Sequence, residues 1–91
     1  METQLEQCMD DLLLVRGVTG CILADDQGLC LCAKGKVSPA SSGVIKAIAD
    51  QVLKLEPELK PPVIVLESEN RECLIQQCGN LTAAIHKTLA Q

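Results

Sequence analysis

The sequence predicts an α/β domain of the α+β type, with two helices packed on a central, largely antiparallel sheet of five strands. Apolar residues recur at helical spacing in two segments and form five short runs elsewhere. Gly and Pro mark the boundaries between these segments, and the short connections favour antiparallel strand pairing. A chain of 91 residues is too short for two domains, so we expect residues 1–91 to form one.

The first predicted element is an amphipathic helix over residues 3 to about 15. Its apolar positions recur at helical spacing, and its acidic positions lie on the other side. The apolar set is Leu5, Cys8, Met9, Leu12 and Leu13, and the acidic set is Glu6, Asp10 and Asp11. Gly17 follows as a C-terminal cap.

A β-hairpin is predicted next. Residues 18–24 and 29–33 are two short apolar runs, joined by a polar turn that ends at Gly28. The single residue between Cys30 and Cys32 predicts that both sulfur atoms lie on the same face of the second strand, because side chains alternate between faces.

A second helix is predicted over residues 39 to about 55. Ser38 is suited to cap its first turn and Pro39 to occupy its first position, while the prolines after residue 56 end it. The expected apolar stripe consists of Val44, Ile45, Ile48, Ala49, Val52 and Leu55. The expected outer side consists of Ser42, Lys46, Asp50 and Lys54.

Three strands are predicted after the prolines, over residues 63–67, 73–77 and 81–87. Pro61 and Pro62 lead into the first of them, which favours an edge position in the sheet. Residues 21–24 and 63–66 are apolar on both alternating faces, which indicates a sheet covered on both sides. Two helices cannot cover five strands twice, so we expect a leftover apolar patch that contacts another protein.

Composition excludes several partners. The net charge is −4, the basic residues are scattered, and aromatic residues are absent, so no nucleic-acid partner is expected. The longest apolar runs have four residues, and the first residues are acidic where a signal peptide is basic. We therefore expect a cytoplasmic protein with no direct membrane insertion.

No catalytic constellation is recognisable. His86 lies in a predicted strand without a nucleophile motif, and the paired carboxylates at 25–26 and 67–69 lie in predicted turns. The six glycines form no phosphate-binding motif. With no export signal, the six cysteines are expected to be reduced and structural rather than metal ligands, although Cys30, Cys32, Cys73, Cys78 and His86 could supply ligands in principle. No enzyme activity, cofactor or metal is expected.

Four stretches of the sequence resemble the roadblock/dynein light chain-like family, and within it a subunit of the lysosomal Ragulator complex. They are residues 25–29 (DDQGL), 43–45 (GVI), 63–70 (VIVLESEN) and 84–87 (AIHK). The resemblance spans essentially the whole chain and implies the roadblock-like order helix, strand, strand, helix, strand, strand, strand, without a third helix.

The resemblance implies a non-catalytic scaffold that reaches late endosomes and lysosomes only through its partners. Those partners are another roadblock-type subunit in a heterodimer, a lipidated subunit that wraps the assembly, and, through the complex, the Rag GTPases that recruit the mTOR kinase. The third strand and the middle helix would meet the roadblock-type partner. The expected interface residues are Val44, Ile45, Ile48, Val63, Ile64, Val65 and Leu66.

Two alternatives remain open at this point. One is a free-standing roadblock-type dimeric adaptor, for example one linked to dynein. The other is a small thiol-redox or metal-binding protein, which the cysteine content suggests.

Overall fold

A computed structural model describes residues 2–55, 57–58 and 60–89, without the side chains of residues 2 and 3. Two α-helices and five strands follow in the predicted order, with a 3₁₀ turn, Pro39–Ser41, before the second helix. They are α1 (Glu2–Leu13), β1 (Val18–Ala24), β2 (Cys30–Gly35), α2 (Ser42–Leu53), β3 (Ile64–Glu67), β4 (Arg71–Cys78) and β5 (Leu81–Thr88). The sheet order is β2-β1-β5-β4-β3 with every pair antiparallel, which confirms the predicted architecture.

Helix α2 covers the centre of one sheet face. A row of apolar residues runs across all five strands on this face: Ala33, Ile22, Ala84, Ile75 and Ile64. Ile45 and Ala49 of α2 pack on the middle of the row and complete the buried core. Because the core has no aromatic residue, its small side chains must bring helix and sheet close together.

Helix α1 covers part of the opposite face, over β1 and β2. Met9 is buried there, and its carbonyl oxygen lies 3.7 Å from the Cys21 thiol. Lys34 of β2 forms ion pairs with Glu6 and Asp10 of α1, at 3.5 and 3.6 Å. The apolar side of this helix therefore packs on the sheet, and acidic residues of its other side form ion pairs with Lys34 of β2.

The start of the second helix differs from the prediction. Ser38 has an extended backbone and no side-chain capping hydrogen bond; its carbonyl oxygen instead accepts from the Ser41 hydroxyl at 2.7 Å. Ser42, expected on the outer side, is buried, and its hydroxyl donates to the Gly28 carbonyl at 2.7 Å. Gly28 has φ +84° and completes the β1–β2 turn, so the hairpin and the helix are joined at this point.

The two cysteines of β2 lie on opposite sheet faces, which contradicts the prediction of a shared face. The register shifts between Leu23 and Ala24, so that Leu23 pairs with Cys32 and Ala24 with Cys30. Cys30 packs against the core under α2, whereas Cys32 lies near Cys21 on the α1 side. A bulge inserts one residue, and the alternation of side chains changes phase across it.

Smaller differences concern element ends. Helix α1 ends at Leu13 instead of Val15. The N–H groups of Leu14 and Val15 donate to the carbonyl oxygens of Asp11 and Leu12, three residues back, which is the hydrogen bonding of a tighter turn and not of an α-helix. Strand β2 begins one residue later and continues to Gly35, and β3 begins at Ile64 rather than at residue 63. Val44 and Leu55 of the expected apolar stripe are exposed. Residues 56 and 59 of the predicted proline-rich linker lie outside the described residues.

The roles of the two serines predict that only one of them matters for stability. Ser42→Ala removes a buried hydrogen bond and leaves the Gly28 carbonyl without this donor, so stability should fall by about 1–2 kcal/mol. Ser38→Ala removes no side-chain bond and should stay within about 0.5 kcal/mol of wild type. Urea unfolding of the two variants checks this, and an equal loss in both would contradict it.

The bulge in β2 predicts that Cys30 and Cys32 act independently. Cys30→Ala and Cys32→Ala should each lower stability by about 1 kcal/mol or less, and the double variant should equal the sum within about 0.5 kcal/mol. Unfolding of the three variants, with metal analysis of the wild type, checks this. Stoichiometric zinc, lost in both single variants, would contradict the assignment.

Candidate protein–protein interface

Strand β3 forms one edge of the sheet, as the preceding prolines predicted. It pairs with β4 on one side, and its other side has no strand partner among the described residues. Along it, Val63, Val65 and Leu66 are 56%, 50% and 44% exposed. We call residues Val63, Ile64, Val65 and Leu66 the β3 edge. An apolar edge of this kind offers backbone N–H and C=O groups together with side chains that another chain can bury.

The predicted interface residues fall into two groups in the structure. Val44 lies on the outer side of α2, and 62% of its surface is exposed. This exposed fraction is similar to those of Val63 and Val65 in the β3 edge. Ile45 is buried in the core, and Ile48 and Ile64 are half-buried against that core. These three side chains therefore hold the helix and the strand in place rather than presenting a surface.

Helix α2 is fixed over the sheet by a polar contact as well as by the core. Asp50 accepts hydrogen bonds from Lys46 at 2.6 and 2.8 Å and from Gln77 of β4 at 2.8 Å. The bonds from Lys46 and then Gln77 hold the pKa of the Asp50 carboxyl below its usual value. This contribution to stability is present above the unfolded-state pKa of Asp50, and is lost as the pH falls through the lower folded-state pKa.

The sheet face on the α1 side carries a second exposed apolar surface. One row across four strands contains Cys21, Ile85, Leu74 and Val65. Cys21 is buried under α1, Ile85 and Leu74 are half-buried, and Val65 is half exposed. We call the uncovered residues on this side the open sheet face, which consists of Val65, Leu74, Leu81, Ala83 and Ile85. It is the leftover patch that the shortage of helices predicted, although the sequence did not identify its members.

The open sheet face continues beneath α1. An apolar cavity of about 170 Å³ lies between the helix and the sheet. Its walls include Leu5, Cys8 and Leu12 of α1 and Ala83 and Ile85 of β5. The apolar surface therefore extends from the helix to the β3 edge, so a bound segment could contact both.

The side chains that the sequence offered as catalytic candidates make structural contacts. His86 is half-buried on β5, with Nε2 4.0 Å from the Cys73 sulfur, and burial raises the pKa of the Cys73 thiol. A raised pKa disfavours the nucleophilic thiolate. Asp25 accepts hydrogen bonds from the backbone N–H groups of Gln27 and Leu29, both at 2.9 Å, so it stabilises the turn as expected. Among the described residues, no group of three or more His, Cys, Asp or Glu side chains is arranged to hold a metal ion.

Comparison with solved structures identifies the fold. MglB of Myxococcus xanthus superposes with a TM-score of 0.81 at 14% identity, covering 94% of this chain and 76% of that one. A Roadblock/LC7 domain from Streptomyces avermitilis gives 0.66 at 17% identity, covering 90% and 76%. At these identities the similarity shows the roadblock fold.

Comparison of sequences identifies the family. The family model for Ragulator complex protein LAMTOR5 matches residues 1–87. The Ragulator complex protein LAMTOR5 homolog of Nematostella vectensis is 42% identical over 88 residues, covering 96% of this chain and 97% of that protein. The Xenopus tropicalis Ragulator complex protein LAMTOR5 is 36% identical over 88 residues with the same coverage. The chain described here therefore belongs to the Ragulator complex protein LAMTOR5 family.

Proposed function

We propose that this chain is a non-catalytic scaffold subunit of the Ragulator complex. In this role it helps to tether and activate Rag GTPases at the lysosome, and so to recruit the mTOR kinase complex in response to amino acids. Membership of the LAMTOR5 family supports the assignment to the complex. The observation that carries the proposal is the β3 edge, an apolar sheet edge that needs a partner.

The β3 edge pairs with a related roadblock-type subunit to form a heterodimer. Addition of a strand would satisfy the outward backbone groups of β3 and remove Val63, Val65 and Leu66 from water. Val44, exposed on the outer side of α2, is the helical residue that would contact the same subunit, while Ile45, Ile48 and Ile64 hold the helix and the strand on the core. The other sheet edge, β2, lies at the opposite end of the strand order and stays outside this contact.

The open sheet face receives the lipidated subunit that wraps the assembly. It is apolar, it borders the part of the sheet that α1 covers, and it lies on the opposite side of the sheet from α2. None of the described helices is long and apolar enough to cross a membrane. Location on the cytosolic face of late endosomes and lysosomes would then come from the lipid of that partner.

The free-standing dimeric adaptor is the second candidate, and the same β3 edge supports it. An edge strand can pair with its own copy about a two-fold axis as readily as with a related chain. The thiol-redox alternative receives less support, because burial raises the pKa of both Cys21 and Cys73 and so disfavours the reactive thiolate.

The test is a single substitution on each edge of the sheet. Val65→Lys places a charge on the β3 edge, where assembly would bury it, so recovery of the other Ragulator subunits with the tagged chain should fall at least about tenfold. Leu31→Lys is the matched control on the β2 edge, where the side chain is 52% exposed, and should keep recovery within about twofold of wild type.

Urea unfolding and light scattering of the isolated chains complete the experiment. Both variants should unfold near the wild-type midpoint, because both side chains are already half exposed. Wild-type recovery of the subunits with Val65→Lys would overturn the assigned interface. A wild-type homodimer that Val65→Lys converts to a monomer, with no Ragulator subunits recovered, would favour the free-standing adaptor.

A further inference from the structure

A row of charged residues crosses the sheet beside the β3 edge. Lys87 of β5 pairs with Glu72 of β4, and Glu72 pairs with Glu67 of β3. Each of the three is two positions along its strand from a member of the open sheet face, so the row lies on the same side of the sheet, opposite α2. Glu67, its last member, is exposed and directly follows the β3 edge.

The two glutamates of this row lie directly opposite each other. The Ser68 N–H donates to the Arg71 carbonyl at 2.9 Å, which makes Ser68 and Arg71 a hydrogen-bonded pair. Because pair types alternate along antiparallel strands, Glu67 and Glu72 form a non-hydrogen-bonded pair, the type in which side chains lie closer together. Like charges at directly opposite positions destabilise a strand pair.

Neither carboxylate has a close cation among the described residues. In that part of the chain, ion pairs of 4.0 Å or less involve Lys34 and Lys46, and none involves Glu67 or Glu72. Arg71 is adjacent to Glu72, but the alternation of side chains places it on the α2 side of the sheet. The row therefore ends in two unpaired carboxylates, and its next position belongs to the strand that is added to β3.

The backbone of Glu67 also faces the added strand. In a non-hydrogen-bonded pair, the N–H and C=O groups of each residue point away from the other strand. Val65 and Glu67 both belong to such pairs with β4, so their backbone groups point outward from the sheet edge. An antiparallel strand that bonds to these groups places two residues, two positions apart, directly opposite Val65 and Glu67.

On the basis of the β3 pairing proposed above, we propose that the added strand belongs to a different chain and carries Lys or Arg directly opposite Glu67. This cation attracts Glu67 at the neighbouring position and Glu72 one strand further on. The residue two positions away on the added strand is apolar, because it lies opposite Val65 at the border of the open sheet face.

A second copy of this chain does not supply the cation. The β3 edge and Glu67 together contain neither Lys nor Arg. In a two-fold arrangement that pairs these residues with each other, Glu67 faces an apolar residue or the Glu67 of the other copy. Self-pairing therefore leaves the repulsion between Glu67 and Glu72 in place or adds to it, which favours a heterodimer over a homodimer.

The experiment reverses the charge of Glu67 in the full chain. Glu67→Lys should lower recovery of the other Ragulator subunits about fivefold or more, because two cations then face each other, and Glu67→Gln should lower it by a smaller factor. Glu69→Lys is the matched control. It makes the same change of charge at an exposed residue of the β3–β4 turn and should keep recovery within about twofold of wild type.

The isolated chain should respond in the opposite direction. Glu67→Lys replaces a repulsive pair with an attractive one opposite Glu72, so the midpoint of urea unfolding should equal or exceed that of wild type. Lower recovery at unchanged or higher stability assigns the effect to the partner and not to misfolding.

A structure of the assembled complex identifies the residue opposite Glu67. Lys or Arg at that position, whose exchange for Glu restores recovery with Glu67→Lys, supports the proposal. Any other residue there overturns it, as does wild-type recovery with Glu67→Lys while Val65→Lys still loses the subunits; the β3 interface then stands. Wild-type recovery with both variants overturns the β3 interface and this proposal together.

Discussion

The packing of Ile45 and Ala49 on the central strands determines where every other surface of this chain lies. Ala84 is fully buried and Ala49 nearly so, and these small residues allow the helix backbone close to the sheet. Without aromatic side chains, the core depends on this close approach. The bonds of Asp50 to Lys46 and Gln77 add a polar constraint that fixes α2 over β4.

Because α2 occupies the middle of one sheet face, only α1 remains to cover the apolar residues of the other face, and it leaves some of them exposed. Helix α1 packs mainly on β1 and β2 on the other face, so the row from Cys21 to Val65 passes from buried to exposed. Val65, the last residue of this row, lies on β3, which is also the edge strand of the sheet. The β3 edge and the open sheet face thus meet at Val65, and assembly with partners would stabilise both surfaces together.

The sequence predicted the element order well, because hydrophobic period and Gly or Pro positions are local signals. It failed where a residue's partner is distant: the hydrogen bond of Ser42 to Gly28 joins two elements, and the bulge that separates Cys30 from Cys32 depends on pairing with β1. Pro61 and Pro62 correctly indicated an edge strand. Helical spacing alone, however, could not separate exposed Val44 from buried Ile45 in the expected interface.

Amide hydrogen exchange of the chain, alone and in the assembled Ragulator complex, tests most directly whether β3 is the pairing edge. Outward N–H groups of β3, residues Ile64–Glu67, should exchange fast in the isolated chain and become strongly protected on assembly. Those of the β2 edge, Cys30–Gly35, should change little. Protection that appears on β2, with none gained on β3, would contradict the account.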